Sequence, residues 1–174
     1  CISTIPLPVL SGNEKDLSEP VKPAIAKSSY DGAGKIGLQF KRRFWEEDDQ
    51  IYGGRSWTDQ EIGQIIYPAH GFTGRKGILV GYYLDFARTM RERPPAERQR
   101  LALEQGALIH PQYQNGFETA FSVSWPRVPW NRGSWRSESP KALEALAALH
   151  KPDGRIHFAG DCMTNQRSWM NGAF

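Results

Sequence analysis

Cysteine is scarce in this chain of 174 residues: Cys1 and Cys162 are the only two, and they form neither a C-x-x-C pair nor a zinc-like spacing. The four histidines, His70, His110, His150 and His157, stand singly. No metal site is expected, and these residues read as structural. Long apolar runs are missing too, and none approaches the ~20 residues of a membrane span. Charge of one sign is in short supply, with a formal net charge of +3. The one dense basic run, Lys41-Arg42-Arg43, is followed at once by Glu46-Glu47-Asp48-Asp49. Opposite blocks that close cancel within a Debye length of ~8–10 Å, so neither a nucleic acid nor a membrane surface is an expected partner. There is no internal repeat and no low-complexity tract.

What is present is enough for a core, since 39% of the residues are hydrophobic and domains cluster at roughly 100–150 residues. Tryptophan is the unusual surplus. Three of the six, Trp125, Trp130 and Trp135, fall within one short stretch, the composition of an aromatic-walled pocket or a binding surface. The chain opens without methionine on a β-branched run and closes on Asn171-Gly172-Ala173-Phe174, where nothing resembles a helix cap. Both ends read as cut from a longer protein.

Residues 2–10 read as a strand interrupted by Pro6 and Pro8. A short helix is expected to about Lys27 and a turn at Tyr30–Gly34. Ile36, Leu38 and Phe40 alternate with Gly37, Gln39 and Lys41, a strand with one apolar face. Segments 52–57, 64–67 and 78–83 continue a meander of about four antiparallel strands. A helix is expected over 95–108 and a strand over 117–125. Ser139-Pro140 is a helix start, with serine as N-cap and proline at the first helical position. Ala142, Leu143, Leu146 and Leu149 then form an apolar stripe. Lys151-Pro152-Asp153-Gly154 turns into a strand over 155–159, and a last helix begins near Trp169. The fold class is mixed, α+β with a piece of α/β character.

Phe158-Ala159-Gly160-Asp161 has the makings of a cofactor site. A glycine permits close approach of a ligand, and a carboxylate at the carboxyl end of a strand can accept sugar-chain hydroxyls. Taken alone it is a weak signal. Taken with Lys35-Ile36-Gly37-Leu38-Gln39-Phe40 running on to Phe44-Trp45, with Gly53-Gly54-Arg55-Ser56 before Ile66-Tyr67-Pro68, and with Trp169-Met170-Asn171-Gly172-Ala173, it gains weight. In this order and spacing the segments resemble the flavin-containing amine oxidase family, most closely its L-amino-acid oxidases. The resemblance covers nearly the whole chain.

The resemblance implies a two-domain FAD-dependent fold. It assigns residues 1–10 to a strand leaving the FAD domain, 11–150 to a substrate domain with a mixed sheet, and 151–174 to a C-terminal FAD-binding segment. It implies oxidative deamination: a hydride passes from the substrate α-carbon to FAD, and the imine hydrolyses to a 2-oxo acid and ammonia. Oxygen then yields hydrogen peroxide. Lys35 matches the family's lysine that reaches toward flavin N5, usually through a water. Tyr82 matches the tyrosine that holds the substrate carboxylate, and Tyr83, its neighbour on the strand, points to the opposite face. Trp169 and Trp130 match walls of the substrate pocket, and Trp125 a ring packed near the flavin. Gly160 and Asp161 fall at the cofactor's sugar chain, although the family most often has Glu in place of Asp161. Met170 would offer its backbone N–H to the flavin C2 carbonyl.

Monoamine oxidases attach FAD through a cysteine in the segment around Gly133-Ser134-Trp135. None stands there, so the resemblance implies non-covalent FAD. The glycine-rich phosphate loop of the cofactor domain is expected upstream, with no G-x-G-x-x-G in these residues, so the chain by itself is expected to be inactive. Partners implied are an L-amino acid and oxygen, with a homodimer left open for the full-length protein. The alternatives are a monoamine or polyamine oxidase of the same family and a flavin-dependent amino-acid monooxygenase. A carbohydrate- or protein-binding domain using the tryptophan-rich segment is the alternative outside enzymes.

Overall fold

A computed structural model describes residues 1–12, 15–84 and 89–174. In chain order the elements are β1 (Ile2–Ser3), α1 (Leu7–Leu10), α2 (Val21–Lys27), β2 (Tyr30–Asp31), β3 (Gly34–Phe40), α3 (Phe44–Glu47), β4 (Arg55–Trp57) and β5 (Gln64–Ile66). They continue with β6 (Gly77–Tyr83), α4 (Thr89–Glu92), α5 (Pro95–Ala107), α6 (Tyr113–Gly116), β7 (Phe117–Ser124), β8 (Trp135–Arg136), α7 (Pro140–Leu149), β9 (His157–Phe158) and α8 (Met170–Ala173). The chain divides into two compact units: Ala33–Ser124, one continuous segment, and Cys1–Gly32 with Trp125–Phe174. These are units of packing, whereas the boundaries at residues 10 and 150 concern cofactor and substrate domains.

The continuous unit is built on a five-stranded antiparallel sheet in the order β4-β5-β6-β3-β7. The alternation read from Ile36, Leu38 and Phe40 sends all three into the core, each no more than 1% exposed. There they meet Phe44, Trp45, Ile65, Leu79 and Tyr113. The simple meander is corrected. β4, β5 and β6 are sequential neighbours, but β3 pairs with β6 and β7 instead of β4. The reason is length: β3 and β6 have seven residues and β7 eight, so full-length ladders form among them, while β4 has three. Helix α5 starts on Pro95 with Pro94 before it and buries Leu101, Ala102 and Gly106. Gly106 is required there, since a Cβ would sit 2.2 Å from the Tyr113 ring.

In the other unit β1 and β9 form a parallel pair and β2 and β8 an antiparallel one. Its core joins Leu7, Leu17, Val21, Ala24 and Ile25 to Ala145, Leu149 and Cys162. The strand expected over 2–10 shrinks to Ile2–Ser3, and Leu7–Leu10 is a helical turn instead. Pro8 in a first turn costs no hydrogen bond, so it starts a helix as readily as it ends a strand. The strand over 155–159 likewise reduces to His157–Phe158. Helix α7 has the expected cap, with Ser139 accepting from the Ala142 N–H at 3.3 Å. Its buried stripe is Ala142, Ala145, Leu146 and Leu149, and Leu143 is 47% exposed. At 100° per residue, position 143 lies off that face.

Arg136, 1% exposed, ties this unit together. Its guanidinium donates to the carbonyls of Cys162 (2.9 Å), Ser137 (3.2 Å) and Thr164 (3.1 Å). The spacing G-x-G-x-x-G does occur once, at Gly32-Ala33-Gly34-Lys35-Ile36-Gly37, which corrects the expectation of none. It runs into the antiparallel strand β3 and opens no helix, so it lacks the strand–turn–helix setting of a phosphate loop.

Candidate functional site

On the continuous unit, Lys35 stands at the start of β3, exposed and on the face opposite the core. The β3–β6 register places Lys35 across from Tyr83 and Ile36 across from Tyr82. Cross-strand partners share a face, so Tyr83 is the tyrosine beside Lys35. Its ring centroid lies 4.7 Å from Lys35 Nζ, a cation–π distance. Tyr82, expected to meet the substrate, is 1% exposed and belongs to the core cluster. Its hydroxyl lies against the first residue of β3, where a Cβ on Gly34 would stand 3.0 Å from it. A bulge between Ile36 and Gly37 re-aims the strand just beyond Lys35. Phe121, opposite Gly37 on β7, is 77% exposed.

A buried polar chain that no sequence pattern suggested lies on the same unit. The Ser56 and Tyr67 hydroxyls are 2.7 Å apart, and the Tyr67 hydroxyl is 2.5 Å from His110 Nε2. His110 Nδ1 in turn lies 2.9 Å from Asp49 Oδ2. With Nδ1 protonated toward Asp49, Nε2 accepts from Tyr67 and Tyr67 accepts from Ser56, so one tautomer satisfies every member. Burial lowers the His110 pKa and the Asp49 carboxylate opposes it in part. Burial raises that of Tyr67, against the Ser56 bond. The separations of 11, 43 and 61 residues carry no local signal.

The other expected residues belong to the second unit. Gly160 ends the parallel β1–β9 pair with a φ of 96°, a region that disfavours any side chain. Asp161 follows, and its Oδ1 accepts the Ser168 N–H at 2.8 Å. That bond holds the loop leading to Trp169 and Met170, which are 72% and 80% exposed. An open cleft of about 560 Å³ borders Trp169, Ser168, Asn171 and Arg167. Arg167 is held by Glu138 at 2.7 Å and lies 3.4 Å from Asp31. Trp125 is half-buried in a short 3-10 turn and Trp130 is 76% exposed. Trp135 has a structural role: its indole N–H donates to Asp31 at 3.1 Å within the β2–β8 pair. Lys35 and the tyrosines thus belong to one unit, and the expected cofactor and wall residues to the other.

The sequence profile of the flavin-containing amine oxidoreductases matches residues 1–174, the whole chain. The protein belongs to that family. The chain is 32% identical over 166 residues to an L-amino-acid oxidase of Siganus canaliculatus, covering 92% of this chain and 31% of the relative. It is 29% identical over 182 residues to the flavin-dependent L-tryptophan oxidase RebO of Lentzea aerocolonigenes, covering 99% and 38%. It therefore spans about a third of the length of these relatives. Among solved structures, a putrescine oxidase variant superposes with a TM-score of 0.80 at 21% identity, over 99% of this chain and 39% of that one. Cyclohexylamine oxidase from Brevibacterium oxydans IH-35A gives 0.77 at 22%, with the same coverage. The mixed fold with an antiparallel sheet is that of the flavin-dependent amine oxidases.

The family implies a flavin, and the chain's own donors and acceptors can be tested against one. A glycine in a left-handed conformation at the carboxyl end of two parallel strands leaves backbone accessible to a ligand. The adjacent Asp161 has one oxygen engaged by Ser168 and a second with no hydrogen-bond partner among the described residues, an acceptor suited to a polyhydroxyl chain. Trp169 presents an exposed apolar face five residues beyond Thr164, whose carbonyl Arg136 fixes. These residues fit such a cofactor.

Proposed function

We propose that the protein is an FAD-dependent oxidase of L-amino acids, which forms 2-oxo acids, ammonia and hydrogen peroxide, with FAD held non-covalently. The observation that carries this is Lys35, exposed on the open face of a rigid sheet and seated against Tyr83. Names of relatives support the substrate class, two of them being an L-amino-acid oxidase and an L-tryptophan oxidase. Bound FAD would supply the oxidising centre that takes a hydride from the substrate α-carbon.

The chain supplies positioning and electrostatics. The Lys35 ammonium can orient a water and stabilise negative charge developing next to the reacting carbon. Packing of its stem over Tyr83 restricts where that charge sits. Trp169 and Trp130 offer apolar walls that exclude water, and Trp125 a packing ring near the cofactor. Gly160 and Asp161 would receive the sugar chain, and the Met170 N–H would face a ring carbonyl. Non-covalent attachment rests on the cysteines. None stands at Gly133–Trp135, and Cys162 is 5% exposed in an apolar cluster, where burial pushes its thiol pKa up.

One observation favours a second reading, oxidation of amines that carry no carboxylate. Tyr82, the expected carboxylate donor, is packed in the core, while Tyr83 shares the face of Lys35. Peroxide release by the full-length enzyme over L-amino acids, D-amino acids and the matching amines separates the two. L-phenylalanine should exceed phenylethylamine by a large factor, up to ~10⁴, because a site built to bond a polar group rejects its absence. Equal or better turnover of the amine sinks the amino-acid reading. Tyr82→Phe and Tyr83→Phe then identify the donor: the one that raises KM for the amino acid alone holds the carboxylate. In the full-length enzyme Lys35→Met should keep flavin bound and slow turnover by up to ~10²-fold; unchanged turnover removes Lys35 from the mechanism.

A further inference from the structure

The sheet of the Ala33–Ser124 unit carries a groove on its open face, well along β3 from Lys35. It encloses about 570 Å³, with Ile66, Pro68, Ile78 and Val80 on its apolar side and Arg43 and Lys76 at its polar end. Ile78 is 53% exposed and Arg43 only 4%. A large apolar side chain left open beside a buried guanidinium is an uncommon pairing.

Arg43 has donors to spare. Its Nε donates to Glu46 Oε1 at 2.7 Å and its Nη2 to the His70 carbonyl at 3.0 Å, with Nη2 also in contact with Glu46. Nη1 has no protein hydrogen-bond partner among the described residues. Two glycines flank it. A Cβ on Gly77 would stand 2.8 Å from Nη1, and one on Gly71 3.8 Å. A Cβ on Gly77 would also stand 2.6 Å from the Trp45 ring, so only glycine at 77 lets the strand pack this closely against Trp45 and Arg43. The backs of the guanidinium and Trp45 are in cation–π contact at 5.2 Å, which fixes the plane of the fork.

The nearby carboxylates are already engaged. Glu46 also accepts the Thr73 N–H at 3.0 Å, and Arg43 holds its pKa below the usual carboxylate range. Glu118 accepts from Lys76 Nζ at 2.5 Å and from Gln39 Nε2 at 2.6 Å. What the groove offers an occupant is therefore an apolar side and unused N–H groups of a cation. We propose that it binds a small carboxylic acid with an apolar body, the carboxylate on Arg43 Nη1 and the body against Ile66, Ile78 and Val80.

This site is separate from the one assigned above. Gln39, which borders the groove, stands four positions along β3 from Lys35, roughly 14 Å at about 3.4 Å per residue. A ligand of phenylacetate's size does not touch both. Calorimetric titration of the protein with phenylacetate and with phenylacetamide tests the idea. The acid should bind at least about tenfold more tightly than the amide, which has the same ring and no charge. Ile78→Asp, which removes an apolar contact and puts a negative charge on the groove edge, should weaken both ligands, and the acid at least about tenfold more than the amide. Arg43→Lys, which removes the fork, should weaken the acid at least about tenfold and leave the uncharged amide little changed. Lys35→Met should leave phenylacetate binding intact. Absence of phenylacetate binding, equal binding of acid and amide, or indifference to Ile78→Asp overturns the proposal. So does loss of binding in Lys35→Met, which would move the acid to the oxidation site.

Discussion

The two compact units are held together by different means. Ala33–Ser124 is one continuous segment around three long strands, and its core is a single cluster from Ile36 to Tyr113. The other unit joins the two ends of the chain through two-residue strands, the α2–α7 contact and the three carbonyl bonds of Arg136. A sheet of long strands fixes side-chain direction by its pleat, so Lys35 is placed by the ladder itself. Where strands are short, direction must come from specific side-chain bonds. Asp161 to Ser168 and Arg136 to Thr164 are bonds of that kind, and the candidate cofactor residues depend on them. One unit is rigid by regularity and the other by individual polar contacts.

The most severe way to break the contrast is within the sheet. Leu38→Ala, at a fully buried position on β3, which is paired on both sides, should cost about 2–5 kcal/mol. Chemical denaturation would show it, with hydrogen exchange accelerating across β3, β6 and β7. If exchange at Cys162–Thr164 accelerates equally, the two units unfold as one and the contrast fails.

Arg136→Leu probes the other side. It leaves three carbonyls without their donor, and each buried unsatisfied group costs about 1–3 kcal/mol, less where water can enter. A loss of about 3 kcal/mol is expected, with limited proteolysis cutting first between Asp161 and Trp169. Protection of the β3–β7 ladder should stay as it was. Cleavage at an unchanged rate would show that the loop is held by something other than Arg136.

A smaller effect should separate the units by pH. Burial lowers the folded-state pKa of His110 below its ordinary value near 6.5. The unfolded chain therefore takes up a proton first as pH falls, and the stabilisation, complete above about pH 6.5, is lost on the acid side down through the folded pKa. The continuous unit should weaken there, and His110→Gln should flatten that slope while costing stability at neutral pH. Melting temperatures between pH 8 and pH 5, about the range in which histidine titrates, would check it. An identical slope in the variant would remove His110 as the cause.

Local rules made part of this readable in advance. The period-two pattern of Ile36, Leu38 and Phe40 decided which way Lys35 points. Ser139 and Pro140 decided where α7 begins, because a cap and a fixed φ act within one turn. The motif order from Lys35 to Met170 was sufficient to name the family. Spatial neighbours were another matter. Which strand lies beside β3, whether Tyr82 or Tyr83 shares the face of Lys35, and the meeting of Ser56, Tyr67, His110 and Asp49 all depend on pairings between distant segments. Periodicity within a strand says which residues share a face and is silent on register, since a slip of one residue exchanges the two faces relative to the neighbour. Pairing of the long strands and burial of one common core chose that register. It set Tyr83 against Lys35 and packed Gly77 closely against Trp45 and Arg43.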